Sequence, residues 1–338
     1  MKEFGLTPEQ TRIMFSYQYN LVQADIDNEP DFDKKNLKRQ WLTKWKDSTE
    51  LFLNSQITAS SPRGTSFDII TDFTQLKALV KSSLIPPLTR YLILLEVTLF
   101  QPYYPLGDSS DEKFKNLKID NEEKLTNKVR FFAKTLDIDP DSVYRFKYNY
   151  KEAIQGIKGG VNPWLLGAVG AVLLGVVAIF ATPLIVGLLA PILAPGLSGA
   201  AAVSAVLAAL GGGAIAAGGF GMAGGMAVVV AGGSILGAGA GVGVGALFGQ
   251  SPDAALTQAA KLEAAIKEII FIQKDSRKDQ KIINLAEIIK QLRLAIRSLE
   301  DKLDELLLEP EKNHQEIENL KKAIEYLKKA LGRIQDLM

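Results

Sequence analysis

From Gly159 to Pro252 the chain runs for 94 consecutive positions without Asp, Glu, Lys, Arg or His. A water-facing domain of that size needs a charged exterior, because charged side chains are almost never fully buried. In a bilayer the same absence is expected, since each charge near the centre costs several kcal/mol. A spanning helix takes ~20 mostly apolar residues, so there is room for up to about four spans.

The feature predicts an all-α membrane protein in three parts. Residues 1–158 form a soluble helical domain. Residues 159–252 form Gly/Ala-rich transmembrane helices, and residues 253–338 an amphipathic helix followed by an antiparallel coiled-coil hairpin. The N-terminus, Met1-Lys2-Glu3-Phe4-Gly5, lacks the apolar core of a signal peptide. Insertion through the internal segment is therefore expected. Lys and Arg on both flanks place both soluble parts in the cytosol, which favours an even number of spans. The expected localisation is integral and multi-span, with the lipid bilayer as a partner.

Within the uncharged stretch, Asn162-Pro163-Trp164 supplies an N-cap, a first-turn proline and an aromatic suited to the membrane interface, Trp164. Gly233, Gly237, Gly241, Gly245 and Gly249 recur every fourth residue, and Gly221 and Gly225 repeat the spacing upstream. On a helix these glycines form a ridge without side chains, which permits close helix packing in lipid. That packing serves either an intramolecular hairpin or a homo-oligomer. Gly219 to Gly224 matches GxGxxG, but no acidic residue follows within the next 20 or so positions, so a dinucleotide site is excluded.

The N-terminal part carries helical signals throughout. Thr7-Pro8-Glu9-Gln10 reads as a capping box opening a helix to about Ile26. Phe32 to Phe52 is a second helix, with Trp41 and Trp45 as core anchors on one face. Asp68 to Ser82 is a third. Leu88 to Phe100, opened by Pro86-Pro87, is the expected core helix, and Asp108 to Glu112 reads as a helix start rather than a cation site. Glu122 to Leu136 and Ser142 to Ile157 complete the domain around Asp139-Pro140-Asp141.

Beyond the uncharged stretch, Leu262, Ile266 and Ile269 mark an amphipathic helix. Leu285, Ile289, Leu292, Ile296, Leu299, Leu303 and Leu306 then follow a 4-3-4-3-4-3 spacing. Ile317, Leu320, Ile324, Leu327, Leu331 and Ile334 follow 3-4-3-4-3. Two heptad seams joined by a short polar loop, Glu309 to Gln315, make an antiparallel hairpin. Whether the seams pair with each other or with another chain stays open.

Two resemblances follow from these residues. Leu136-Asp137-Ile138-Asp139-Pro140-Asp141 is similar to an inter-helix turn of TerB-like helical domains, in which an apolar helix is followed by an acidic turn and further helices, as Leu92 to Ile157 supplies. The stretch from Leu165 to Gly249 resembles the Gly/Ala-rich membrane region of the hydrolase-bearing transmembrane and coiled-coil domain proteins. The hydrolase itself is missing, because no GxSxG nucleophile elbow follows. What this implies is a membrane module between two helical parts, similar in architecture to small bacterial membrane-disrupting effectors.

No catalytic constellation is expected. There is no cysteine, and the one histidine, His314, falls in the polar stretch read as a loop. No cofactor or metal is implied. A net charge of +1 gives no electrostatic footprint for nucleic acid. The expected function is a membrane-embedded effector that oligomerises through its glycine ridge to permeabilise or form a channel. The alternative is a membrane-anchored scaffold or adaptor that recruits a protein partner through the C-terminal coiled coil.

Overall fold

A computed structural model describes residues 6, 8–55, 68–103, 111–159, 252–275 and 285–337. Among these the protein is all-helical, with ten helices and no strand. They fall into two compact units, one holding α1 to α6 and the other running from Arg145, within α7, through α8 to α10.

In the N-terminal unit, short polar side chains start the helices by accepting from orphan backbone N–H groups. α1 is Pro8–Asn28 and α2 Phe32–Ser55. Asp31 Oδ1 accepts from Lys34 N at 2.8 Å at the head of α2. Asp72 does the same for α3, Phe73–Ser82, and Asn121 for α6, Glu122–Thr135. α4, Pro87–Thr98, begins on Pro86-Pro87, and α5 is a single turn, Asp111–Phe114. α6 closes with Asp137 in the left-handed region (φ 58°), letting Ile138 N reach back to Ala133 O at 3.0 Å.

α1 is the hub of this unit and packs on α2, α3, α4 and α6. It buries Ile13, Phe15, Tyr17, Leu21 and Ile26, and Trp41 and Trp45 of α2 and Leu92 to Leu95 of α4 are buried as well; the Phe15 ring meets Trp45 edge-on with centres 6.1 Å apart, and Tyr17 lies 5.0 Å from the Phe132 ring of α6. The two indoles stack with ring centres 6.2 Å apart. Several buried polar residues of α1 are hydrogen-bonded, as burial without partners would be costly. Asn20 donates to Ser16 O at 2.8 Å and to Ile70 O at 3.1 Å. Tyr17 shares a 2.7 Å hydrogen bond with Thr135, and burial pushes its phenol up to about 12.

The C-terminal unit contains α7, Ser142–Lys158; α8, Pro252–Asp275; α9, Leu285–Leu306; and α10, Pro310–Gln335. α9 and α10 pack closely across a connection of residues 307–309, and α8 packs on α10 as well. α10 therefore buries a stripe wider than a two-stranded seam, adding Ala323 and Ala330 to Ile317, Leu320, Ile324, Leu327 and Ile334. Buried alanines on α8 at 255, 259, 260, 264 and 265 keep the helices close. His314, expected in a loop, lies exposed in the first turns of α10, because Pro310 starts that helix immediately after Glu309.

The expected integral, multi-span localisation is corrected. No helix among the described residues is long and apolar enough to cross a membrane. The physical reason is plain in α8, which follows the uncharged stretch but carries Asp253, Lys261, Glu263, Lys267 and Glu268 along its length. Trp164 and the glycines at 221, 225, 233, 237, 241, 245 and 249 lie outside the described residues, as does the loop from Ser60 to Ser66.

Candidate functional site

The densest chemistry in the C-terminal unit is a charged clasp that joins α7, α8 and α10. Glu263 of α8 lies among alanines, and its side chain is only 1% exposed. A carboxylate in that position needs partners, because desolvation of an unpaired charge costs several kcal/mol. Arg333 of α10 supplies two of them, with Nε to Oε2 and Nη2 to Oε1 both at 2.8 Å. This parallel, two-pronged geometry is what a guanidinium offers a carboxylate. Lys267, one turn along α8, adds a third contact at 2.8 Å.

The two cations also hold Glu152 of α7. Lys267 Nζ donates to Glu152 Oε2 at 2.9 Å, and Arg333 Nη2 to Oε1 at 3.5 Å. The hydrogen bond from Lys267 holds the Glu152 carboxyl below its ordinary range. The bond to Glu263 likewise raises Arg333. Gly156 makes the approach possible, since a Cβ there would run into the Arg333 guanidinium. A second pair flanks the clasp. Arg145 of α7 donates to both oxygens of the buried Glu268 at 2.8–3.1 Å, while its guanidinium stacks 4.4 Å from the centre of the Phe271 ring.

The clasp is electrically balanced, with two carboxylates and two cations. Its groups are committed to one another, which suits it to fixing helices rather than to moving protons. Sequence reasoning did not single these residues out. The available signal was the spacing of Glu263 and Lys267, four apart, in an otherwise alanine-rich helix.

The clasp holds α10, and α10 carries the hairpin. Of the seam residues, Ile289, Leu292, Ile296, Leu299, Leu306, Ile317, Leu320, Ile324, Leu327 and Ile334 are buried, while Leu285, Leu303 and Leu331 are half-buried. Ile288 and Ala295 of α9 are buried beside them. The seams are thus occupied within the chain. What α9 and α10 present outward is a charged surface with Leu294, Leu307 and Leu308 exposed in it.

In the N-terminal unit, a cleft of about 550 Å³ between α1 and α6 is lined by Asp25, Asn28, Asn121, Lys124 and Lys128 among others. Its polar groups are largely amides and lysines. Lys124 reaches Asn28 Oδ1 at 3.4 Å, and Asp25 is already held by other residues. Among the described residues no group of His, Cys, Asp and Glu could hold a metal ion.

Comparison with protein-family models, curated proteins and solved structures finds no match. The functional reading therefore rests on the residues and their geometry.

Proposed function

We propose that this chain is a non-catalytic helical scaffold or adaptor, and that the α9–α10 hairpin is the element that recruits a protein partner. One observation carries the reading. The hairpin's apolar seams are used inside the chain and α10 is clamped on α8, so its charged outer face is held on a rigid support. Rigid presentation lowers the ordering cost of association. The permeabilising reading requires a multi-span membrane chain and is set aside with that localisation.

The test is affinity recovery of partners from cells with the tagged full-length chain, compared with a chain whose exposed hairpin charges Lys321, Lys322, Asp301 and Asp304 are reversed. A protein recovered in stoichiometric amount with the first and lost with the second supports the adaptor reading. Recovery that is the same with both overturns it.

A further inference from the structure

The cleft between α1 and α6 carries charges that the N-terminal unit leaves unanswered. Lys124, Lys128 and Phe131 of α6 follow one another at steps of four and three, so they share the helix face that forms one wall. Asp25, Asp27 and Asn28, in the last turn of α1, line the other wall. Elsewhere in the unit, opposite charges on neighbouring elements meet. Lys38 pairs with Asp25 and Glu29, Arg90 with Asp137, and Arg130 with Asp141. Across the cleft they do not. Among the described residues, Asp27, Lys124 and Lys128 form no ion pair.

Neutral partners hold these three side chains instead. The Lys128 ammonium lies 5.2–5.5 Å from the centres of the Phe73, Phe131 and Phe132 rings, an attraction that leaves its N–H groups free to donate. Lys124 Nζ reaches Asn28 Oδ1 at 3.4 Å. Asp27 Oδ1 accepts from Gln23 Nε2 at 2.8 Å, and Lys35 takes the Asp27 backbone carbonyl rather than its carboxylate. Asp25 does not compete for a ligand, because Lys38, Tyr103 and the Asp120 amide already use its oxygens.

Two of the three charges also stand at the unfavourable ends of their helices. Asp27 is in the last turn of α1, where the carbonyl ends repel an acid, and that turn holds no basic residue. Lys124 is in the first turn of α6, where the amide ends repel a cation. Its own N–H is taken by Asn121, so the helix end is not what the cleft offers. Glu122 and Glu123 stand in the same turn but do not line the cleft.

We infer that the cleft binds a small zwitterion of dipeptide size, with its carboxylate on Lys124 and Lys128 and its ammonium on Asp27. The charges are on opposite walls, so the ligand must carry its own at two ends, as a short peptide with free termini does. A simple anion would face Asp27, and a simple cation would face two ammonium groups. A volume of about 550 Å³ is within the range of small-molecule sites. The Phe131 ring, 44% exposed, gives an apolar side chain a surface to lie on. Asp27 and Lys124 are themselves exposed, so binding is weak and falls as salt is added.

This inference goes beyond the adaptor reading and does not depend on it, since recruitment is assigned to the hairpin of the other unit. The experiment titrates the full-length chain, by calorimetry, with the dipeptide glycyl-phenylalanine and with its N-acetylated and C-amidated forms. The free dipeptide is expected to bind, and each blocked form to bind about fivefold more weakly, the upper end for an exposed charge pair. Lys124→Gln combined with Lys128→Gln should abolish the preference for the free over the amidated peptide and keep the preference over the acetylated one. Asp27→Asn should do the reverse. A misfolded variant would lose both preferences together, so the separate losses report the site.

No binding of the free dipeptide at millimolar concentration would overturn the inference. So would equal binding of the three forms, or variants that keep both preferences. If the acetylated form bound as well as the free one, the cleft would be an anion site and the role given to Asp27 would be wrong.

Discussion

The two units each contain an ionic centre, and the two centres are built on opposite principles. In the N-terminal unit, Lys38 of α2 inserts its ammonium between Asp25 and Glu29, at 2.6 and 2.8 Å, with all three side chains at most 5% exposed. Tyr103 donates to Asp25 Oδ2 at 2.6 Å and Asp120 N to Oδ1 at 2.9 Å. Two carboxylates share one cation, and neutral donors satisfy the oxygens left over. In the clasp, two carboxylates meet two cations, and three of the four side chains are 16–45% exposed. The sealed centre with a deficit of positive charge depends on every partner. The balanced, partly wetted clasp has redundancy, since Glu263 is held by both Arg333 and Lys267.

The largest effect is therefore expected from Lys38→Met. It leaves Asp25 and Glu29 buried with no cation between them, and breaking a buried pair by removing one partner costs about 3–5 kcal/mol. Chemical denaturation followed through the fluorescence of buried Trp41 and Trp45 reads the loss. A variant within 1 kcal/mol of wild type would mean that Tyr103 and the Asp120 amide carry the site without the lysine.

Arg333→Met is expected to cost about 2 kcal/mol, less than Lys38→Met, because Lys267 still faces Glu263. Amide hydrogen exchange in α8 and α10 measures it separately from the N-terminal unit. Were the loss as large as that of Lys38→Met, the redundancy argument would be wrong.

Acid sharpens the same contrast. Hydrogen bonds from Lys38 and Lys267 lower the carboxyls of Glu29 and Glu152 from their ordinary 4.5. A carboxyl lowered on folding stabilises the fold above its unfolded value, and that stabilisation is lost as pH falls through the folded value. Both units should hold their stability from neutral pH down to about 5 and lose it below 4.5. Glu152→Gln should flatten the acid limb for exchange in α7, α8 and α10 and leave that of α1 and α2 unchanged.

These centres mark where the sequence stops being legible. Element positions were readable because their signals are local. Pro8, Pro87 and Pro310 each stand at a helix start, and Trp41 and Trp45 each turn inward from one face of α2. The hub role of α1 was not readable, since Gln18, Asn20 and Asp25 dilute its apolar period and become favourable through partners on other segments, 13 to 95 residues away. The clasp was hidden in the same way, as Glu152 and Arg333 are 181 positions apart. The heptads announced a two-helix seam, but the burial of Ala323 and Ala330 depends on α8, which no heptad count includes. The integral membrane expectation came from the uncharged run of residues 159–252 and its glycine spacing, and none of the described helices bears the apolar length it requires.

A smaller step tests how closely the clasp is fitted. Gly156→Ala puts a methyl group where the Arg333 guanidinium lies. The arginine is flexible, so it swings aside rather than unfolding the unit, giving up its bidentate bond to Glu263 for about 1 kcal/mol. The pair Gly156→Ala with Arg333→Met should then be less costly than the sum of the two single changes, because both remove the same contact. Additive losses would place the glycine's importance in the backbone of α7 instead.

The smallest effect is expected five residues before Arg333 on the same helix. Lys328 also pairs with a glutamate of another helix, meeting Glu300 of α9 at 2.6 Å, which is shorter than any contact in the clasp. Distance alone would rank it first. Yet its side chain is 57% exposed and that of Glu300 42%. Water solvates both groups nearly as well when they are apart, and holding two long side chains together costs entropy, so exposed pairs contribute about 0–1 kcal/mol. Lys328→Ala should therefore change stability by less than about 0.5 kcal/mol and leave exchange in α9 and α10 as it was. If it instead matched Arg333→Met, proximity rather than burial would govern the ion pairs of this protein. The contrast between its two ionic centres would then lose its basis.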